Sequence, residues 1–126
     1  MIHEEICTYE VCKLAKEKGF DAYEACNHIY EDDEQWHTLT TYTNAKGIDW
    51  SKDKFTVAPI QSLMQRWLRE EKFIDFEIYP IFINGVRVYT CRAYAPKLNK
   101  PKKFNYFDTY ELALEDALKY ALENLI

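Results

Sequence analysis

Cys7, Cys12, Cys26 and His28 are the residues whose types could hold a metal, spaced C-x4-C-x13-C-x-H. Tetrahedral zinc takes four Cys/His ligands, usually as two short-spaced pairs on tight turns. Here Cys12 falls inside a helical pattern, Cys7 stands just before it, and Cys26-x-His28 has the spacing of a strand. No glycine marks a turn within either pair. The cysteines therefore read as small buried apolar residues, the usual state of a free thiol, and neither a metal site nor a cofactor is expected. A Cys–His nucleophile is the second chemistry, formed from Cys26 or Cys91 with His28 or His37. Cys26 and His28 would point the same way on one strand. No Gly-rich turn beside any Cys or Ser offers an oxyanion hole, so no catalytic residue is assigned and no enzyme is expected.

The carboxylate clusters are Glu31-Asp32-Asp33-Glu34, Glu70-Glu71 and Glu115-Asp116. The first lacks the alternating spacing and glycine of a calcium loop and reads as a solvated hairpin tip. There is no GxGxxG and no GxxxxGK to cradle a phosphate. The basic run is more informative. From Val86 to Lys103 the chain carries Arg87, Arg92, Lys97, Lys100, Lys102 and Lys103 and no acid, with Tyr89, Tyr94, Phe104 and Tyr106 interleaved. Cations beside stacking rings suit a nucleic-acid strand. Lys-rich segments also keep a sheet edge soluble, and Arg92 is expected opposite Glu77.

These residues sit in a chain of 126 residues, 48% hydrophobic and 16% aromatic, with 3 Gly and 4 Pro. That supports one compact domain over 1–126 and excludes a disordered or low-complexity chain. Net charge is −5, unevenly placed: residues 1–58 hold −6 and residues 59–126 hold +1. An acidic first half argues against wrapping a nucleic-acid backbone with the whole surface. No run approaches the ~20 apolar residues of a membrane span. The acidic start lacks the features of a signal peptide. Reduced cysteines in a cytoplasmic protein follow as the expectation, with no membrane partner.

Periodicity predicts a first helix over 9–18, capped by Thr8 and stopped at Gly19. Two extended runs follow, 22–30 and 36–43, with 31–35 as the loop between them and a short strand near 55–57. Ile60, Leu63, Met64, Trp67 and Leu68 form the apolar stripe of a second helix, with Pro59 at its first position. Asn84-Gly85 signals a two-residue hairpin turn that pairs residues summing to 169. The apolar phase switches at Pro80, which predicts a bulge or an edge. Residues 95–103 read as a loop and 104–107 as a third strand. Asp108 and Glu111 read as a capping box for the last helix, with Phe107 and Leu112 as its staple. Leu114, Ala117, Leu118, Ala121, Leu122 and Leu125 form its buried stripe. The fold class is α+β, an antiparallel sheet with three helices packed on it. The order is α-β-β-(β)-α-β-β-β-α, divided into subregions 1–58 and 59–126.

Several blocks carry a resemblance: Ala15-Lys16-Glu17-Lys18-Gly19-Phe20, Val57-Ala58-Pro59-Ile60-Gln61-Ser62-Leu63, Gln65-Arg66-Trp67-Leu68-Arg69-Glu70 and Phe107-Asp108-Thr109-Tyr110-Glu111. In these the chain resembles small uncharacterised proteins of Bacteroides and their prophages and mobile elements. The resemblance implies an origin and no activity. Residues 59–126 also resemble, in outline, the double-stranded-RNA-binding domain, which is α-β-β-β-α. That family needs a Lys-rich start to its last helix. Asp108-Thr109-Tyr110-Glu111 stands there instead, so the likeness implies fold and not binding.

The expected function is a non-enzymatic adaptor or regulatory protein of a mobile element, binding a protein partner or a second copy of itself. Its expected face is aromatic: Tyr23, Tyr30, Trp36 and Tyr42. The alternative is nucleic-acid binding through Arg87, Arg92, Lys97, Lys100, Lys102, Lys103, Tyr94 and Tyr106.

Overall fold

The structure is a computed structural model that describes residues 5–22, 25–26, 28–30, 36–38 and 56–126, with only the backbone of 36–38. The elements run α1 (Tyr9–Glu17), β1 (His28–Tyr30), β2 (Trp36–Thr38), β3 (Thr56–Val57), α2 (Gln61–Lys72), β4 (Asp75–Ile83), β5 (Val86–Tyr94), β6 (Lys102–Lys103) and α3 (Tyr110–Asn124). This is the α+β class and close to the expected order. The described strands form two antiparallel sheets rather than one, in orders β2-β1-β3 and β4-β5-β6. Alternation marks strands but carries nothing about which edges meet. The chain divides into two compact units, 1–64 and 65–126, and the division falls inside α2 rather than before it. The expected loop 31–35 lies outside the described residues.

In the first unit α1 starts where expected. Thr8 Oγ1 accepts from the Val11 N–H at 3.3 Å. Gly19 takes φ +89° and Phe20, folded back so that its N–H reaches the Ala15 carbonyl at 2.9 Å, is 1% exposed. Ile29 stands opposite His37 on one side and Val57 on the other. Pro59 is not the first residue of α2. Ile60 bridges Ile6, the Cys7 N–H donates to the Pro59 carbonyl at 3.0 Å, and the Gln61 N–H donates to the Glu5 carbonyl at 2.8 Å. This short pairing keeps residues 59–60 extended, so the helix begins after it.

In the second unit β4 and β5 pair from Asp75↔Tyr94 to Ile83↔Val86 without a break. Asn84 and Gly85 hold φ of +51° and +80°, the geometry a twist-matched two-residue turn needs. No bulge forms at Pro80. Tyr89, its partner, spends both backbone groups on Phe107, at 2.8 Å each way. Pro80↔Tyr89 is therefore a non-hydrogen-bonded pair, and the missing N–H of Pro80 faces the outer side of β4, which is an edge strand. Because the ladder is continuous, the two apolar sets split by parity. Phe76 and Ile78 share the face of Cys91 and Ala93, whereas Ile81 and Ile83 share the other face with Val86 and Val88. α3 packs on the first of these faces: Tyr110 meets Tyr89 edge-on at 6.1 Å, and the element contacts both β4 and β5.

The third strand is β6 at 102–103, earlier than expected, followed by the Phe107–Tyr89 bridge. Phe107 is thereby held two residues before the α3 cap at Thr109 rather than next to it, where a staple residue stands. The cap of α3 moves one residue on: Thr109 Oγ1 accepts from the Leu112 N–H at 3.1 Å. Glu111 then falls at the second helical position and Leu112 is 52% exposed, so neither capping box nor staple forms. The expected stripe is buried in full, Leu114, Ala117, Leu118, Ala121, Leu122 and Leu125 being at most 5% exposed.

This places the capping interaction on one side chain. Thr109→Ala lowers unfolding stability by about 1 kcal/mol, and Asp108→Ala changes it by less, measured by urea denaturation of both variants.

Candidate interaction site

The thiols come first. Cys7, Cys12, Cys26 and Cys91 are all free and at most 2% exposed. Three donate to backbone carbonyls: Cys12 to Cys7 at 3.7 Å, Cys26 to Ala22 at 3.4 Å and Cys91 to Arg92 at 3.5 Å. Burial pushes Cys26 up to about 12, with Cys12 adding to it, and pushes Cys91 up to about 12. A nucleophilic thiol needs the opposite shift. Burial also lowers the pKa of His28 below its ordinary value, against its acting as the cationic partner of a thiolate. The side chain of His37 is outside the described residues. Among the described residues no group of three His, Cys, Asp or Glu is placed to hold a metal ion.

The aromatic face expected on the first hairpin loses a member. Tyr30 is 6% exposed, its hydroxyl donates to the Cys7 carbonyl at 2.8 Å, and its ring meets Tyr9 edge-on at 5.4 Å. It is a core residue with its polar end satisfied. Tyr23, Tyr42 and the side chain of Trp36 lie outside the described residues.

The basic run does not form one patch. β6 pairs Arg92↔Lys103 and Ala93↔Lys102, so Arg92 and Lys103 take one face of the sheet and Lys102 the other. Arg87, four pairs along from Cys91, shares the α3 face. Several of the charges are also engaged. Arg92 Nη1 lies 3.7 Å from Glu77 Oε1, the same oxygen that accepts from the Tyr94 hydroxyl at 3.3 Å. The Arg92 guanidinium lies 5.3 Å from the Tyr79 ring centroid. Lys97 Nζ donates to the Ile126 carbonyl at 2.7 Å, and Lys102 Nζ lies 5.0 Å from the Tyr120 ring centroid. Lys100 and Lys103 are exposed, as are Tyr94 and Tyr106. A cleft of about 230 Å³ beside β6 and α3 mixes Lys102, Lys103 and Lys119 with Asp116 and Glu123. The two carboxylates offset most of the charge of the three lysines.

What periodicity alone did not single out is a set of exposed apolar side chains. Phe82 is 69% exposed, Ile83 41% and Val86 62%. They surround the β4–β5 turn, with Phe82 on the α3 face and Ile83 and Val86 on the other. The parity switch at Pro80 was the signal that placed Ile81 and Ile83 away from the helix. A further exposed ring is Phe73, which follows α2 at φ +58° and is 71% exposed. A left-handed aromatic carries a backbone cost that glycine avoids, and this one gains little burial in return.

No protein-family model, curated protein or solved structure matches this chain. Among the described residues no helix is long and apolar enough to cross a membrane.

Two outcomes follow. Cys26 and Cys91 stay protonated in the folded chain to about pH 12, whereas a free thiol ionises near 9.0. The unfolded state releases its protons first, so these two thiols subtract stability as pH climbs from about 9 toward 12. Urea midpoints should fall over that window, and Cys26→Ala and Cys91→Ala should each flatten the fall. Phe73→Gly should leave the protein at least as stable, gaining up to about 1 kcal/mol, read by thermal or urea unfolding.

Proposed function

We propose that this protein performs no chemistry of its own and acts as an adaptor or regulator that binds another protein, with the β4–β5 turn as its contact. One observation supports this reading above the rest: Phe82, Ile83 and Val86 are exposed around one two-residue turn. Large apolar side chains grouped on an ordered projection are typical of interface anchors. The ladder behind them runs the full nine residues of each strand, so the sequence positions of these side chains around the turn are set by its register. The resemblance to mobile-element proteins implies an origin and supplies neither an activity nor a partner.

Nucleic-acid binding is the second reading, favoured by the exposure of Lys100, Lys103, Arg87, Tyr94 and Tyr106. The division of the cations between two faces and the Glu77–Arg92 pair weigh against it.

The test compares the wild type with Phe82→Ser/Val86→Ser. Both sites are exposed, so each change should cost within about 0.5 kcal/mol of stability. Self-association by light scattering and complex formation with a co-purifying protein should both be measured. Loss of the complex in the folded double variant supports the tip as the contact; an unchanged complex removes it. Oligonucleotide titration covers the second reading. Binding that weakens steeply with salt and with Lys100→Glu/Lys103→Glu supports nucleic acid, and no binding at low salt discards it.

A further inference from the structure

The β4–β5 turn places an asparagine directly before a glycine at an exposed hairpin end. We propose that Asn84–Gly85 is a site of spontaneous covalent modification, at which the Asn84 side-chain amide is lost through a succinimide and aspartate or isoaspartate remains. The attacking atom is the backbone nitrogen of Gly85. Gly85 has no side chain of its own, and no heavy atom beyond its two chain neighbours lies within 4 Å of where a Cβ would stand. The central N–H groups of a two-residue turn lie outside the ladder, so this nitrogen is not held. Asn84 is exposed and its side chain has no hydrogen-bond partner among the described residues.

Attack requires the turn to open locally. The pair that closes it, Ile83 and Val86, is 41% and 62% exposed, and Phe82 in the next pair is 69% exposed. Opening therefore gives up little buried surface. The Gly85 nitrogen bonds to Asn84 Cγ, the Cγ–Nδ2 bond breaks, and ammonia leaves with the amide proton. Water then opens the ring. Attack at Cγ gives aspartate; attack at the main-chain carbonyl carbon gives isoaspartate, with the chain rerouted through the side chain. No oxidant or reductant is needed.

The consequence is local and one-way. Either product puts a carboxylate among Phe82, Ile83 and Val86, where charge disfavours apolar contact. Isoaspartate also adds a main-chain methylene, which a two-residue turn cannot absorb while keeping Ile83 opposite Val86. Any effect on a bound partner rests on the proposed docking role of this tip; the modification itself does not. The other asparagines, Asn27, Asn44, Asn99, Asn105 and Asn124, are each followed by a residue with a side chain. Asn124 also donates its amide to the Tyr120 carbonyl at 3.2 Å. They serve as internal controls for a residue type that is thermally labile in general.

The experiment ages the full-length protein in mildly alkaline buffer, folded and in urea, and follows each asparagine by peptide mass spectrometry with separation of aspartate from isoaspartate. In the folded protein, Asn84 should convert an order of magnitude faster than any other asparagine and give both products. Asn84→Gly, which keeps the positive φ without an amide, should show no change at the turn. Conversion at Asn84 only in urea would mean that the fold protects it and would overturn the proposal. So would conversion no faster than at the other asparagines, or none in either condition.

Discussion

The second unit depends on one steric constraint: a two-residue turn that requires positive φ at both central positions. Asn84 and Gly85 meet it, and every pair from Ile83↔Val86 to Asp75↔Tyr94 follows. A slip by one residue would exchange the two faces of the sheet. The register puts Cys91 and Ala93 on the face that α3 covers, sets Glu77 beside Arg92, and turns the missing N–H of Pro80 outward. It also leaves Phe82, Ile83 and Val86 beyond the reach of α3. The interior stripe and the exposed tip are two results of one turn.

The same alternation explains why the basic segment is less than it looks in one dimension. Neighbours in a strand point to opposite faces, so a run of cations along the chain becomes two sparse sets. Part of that charge is then used internally, on Glu77, on the last carbonyl and on the Tyr120 ring. The thiols show a related effect. Their residue type raises ligation or nucleophilic attack, but all four are buried, and Cys12, Cys26 and Cys91 donate to carbonyls. In a desolvated setting the neutral thiol is favoured, and residue type alone does not fix reactivity.

Legibility in the sequence followed the range of the forces involved. The Thr8 cap, the Gly19 stop, the Asn84–Gly85 turn and the α3 stripe were all readable, because each is decided within a few residues. The cap of α3 was misplaced by one position, since Asp108 and Thr109 are both competent caps and the choice fell to the distant Tyr89–Phe107 bridge. Pro59 was misplaced for a similar reason, the pairing of residues 5–7 with 59–61. Tyr30 read as an exposed ring because aromatic residues serve cores and interfaces alike; only its contacts with Cys7 and Tyr9 decide between them.

By itself the sequence determined three amphipathic helices, the strands of an α+β chain and the exact-sum register of its long hairpin, because backbone sterics and apolar period act locally. Tertiary structure decided that the described strands form two sheets, that Tyr30 is interior, and that the apolar surface stands at the β4–β5 turn. Those outcomes depend on which distant segments meet and which side chains their meeting covers, and no local pattern encodes either.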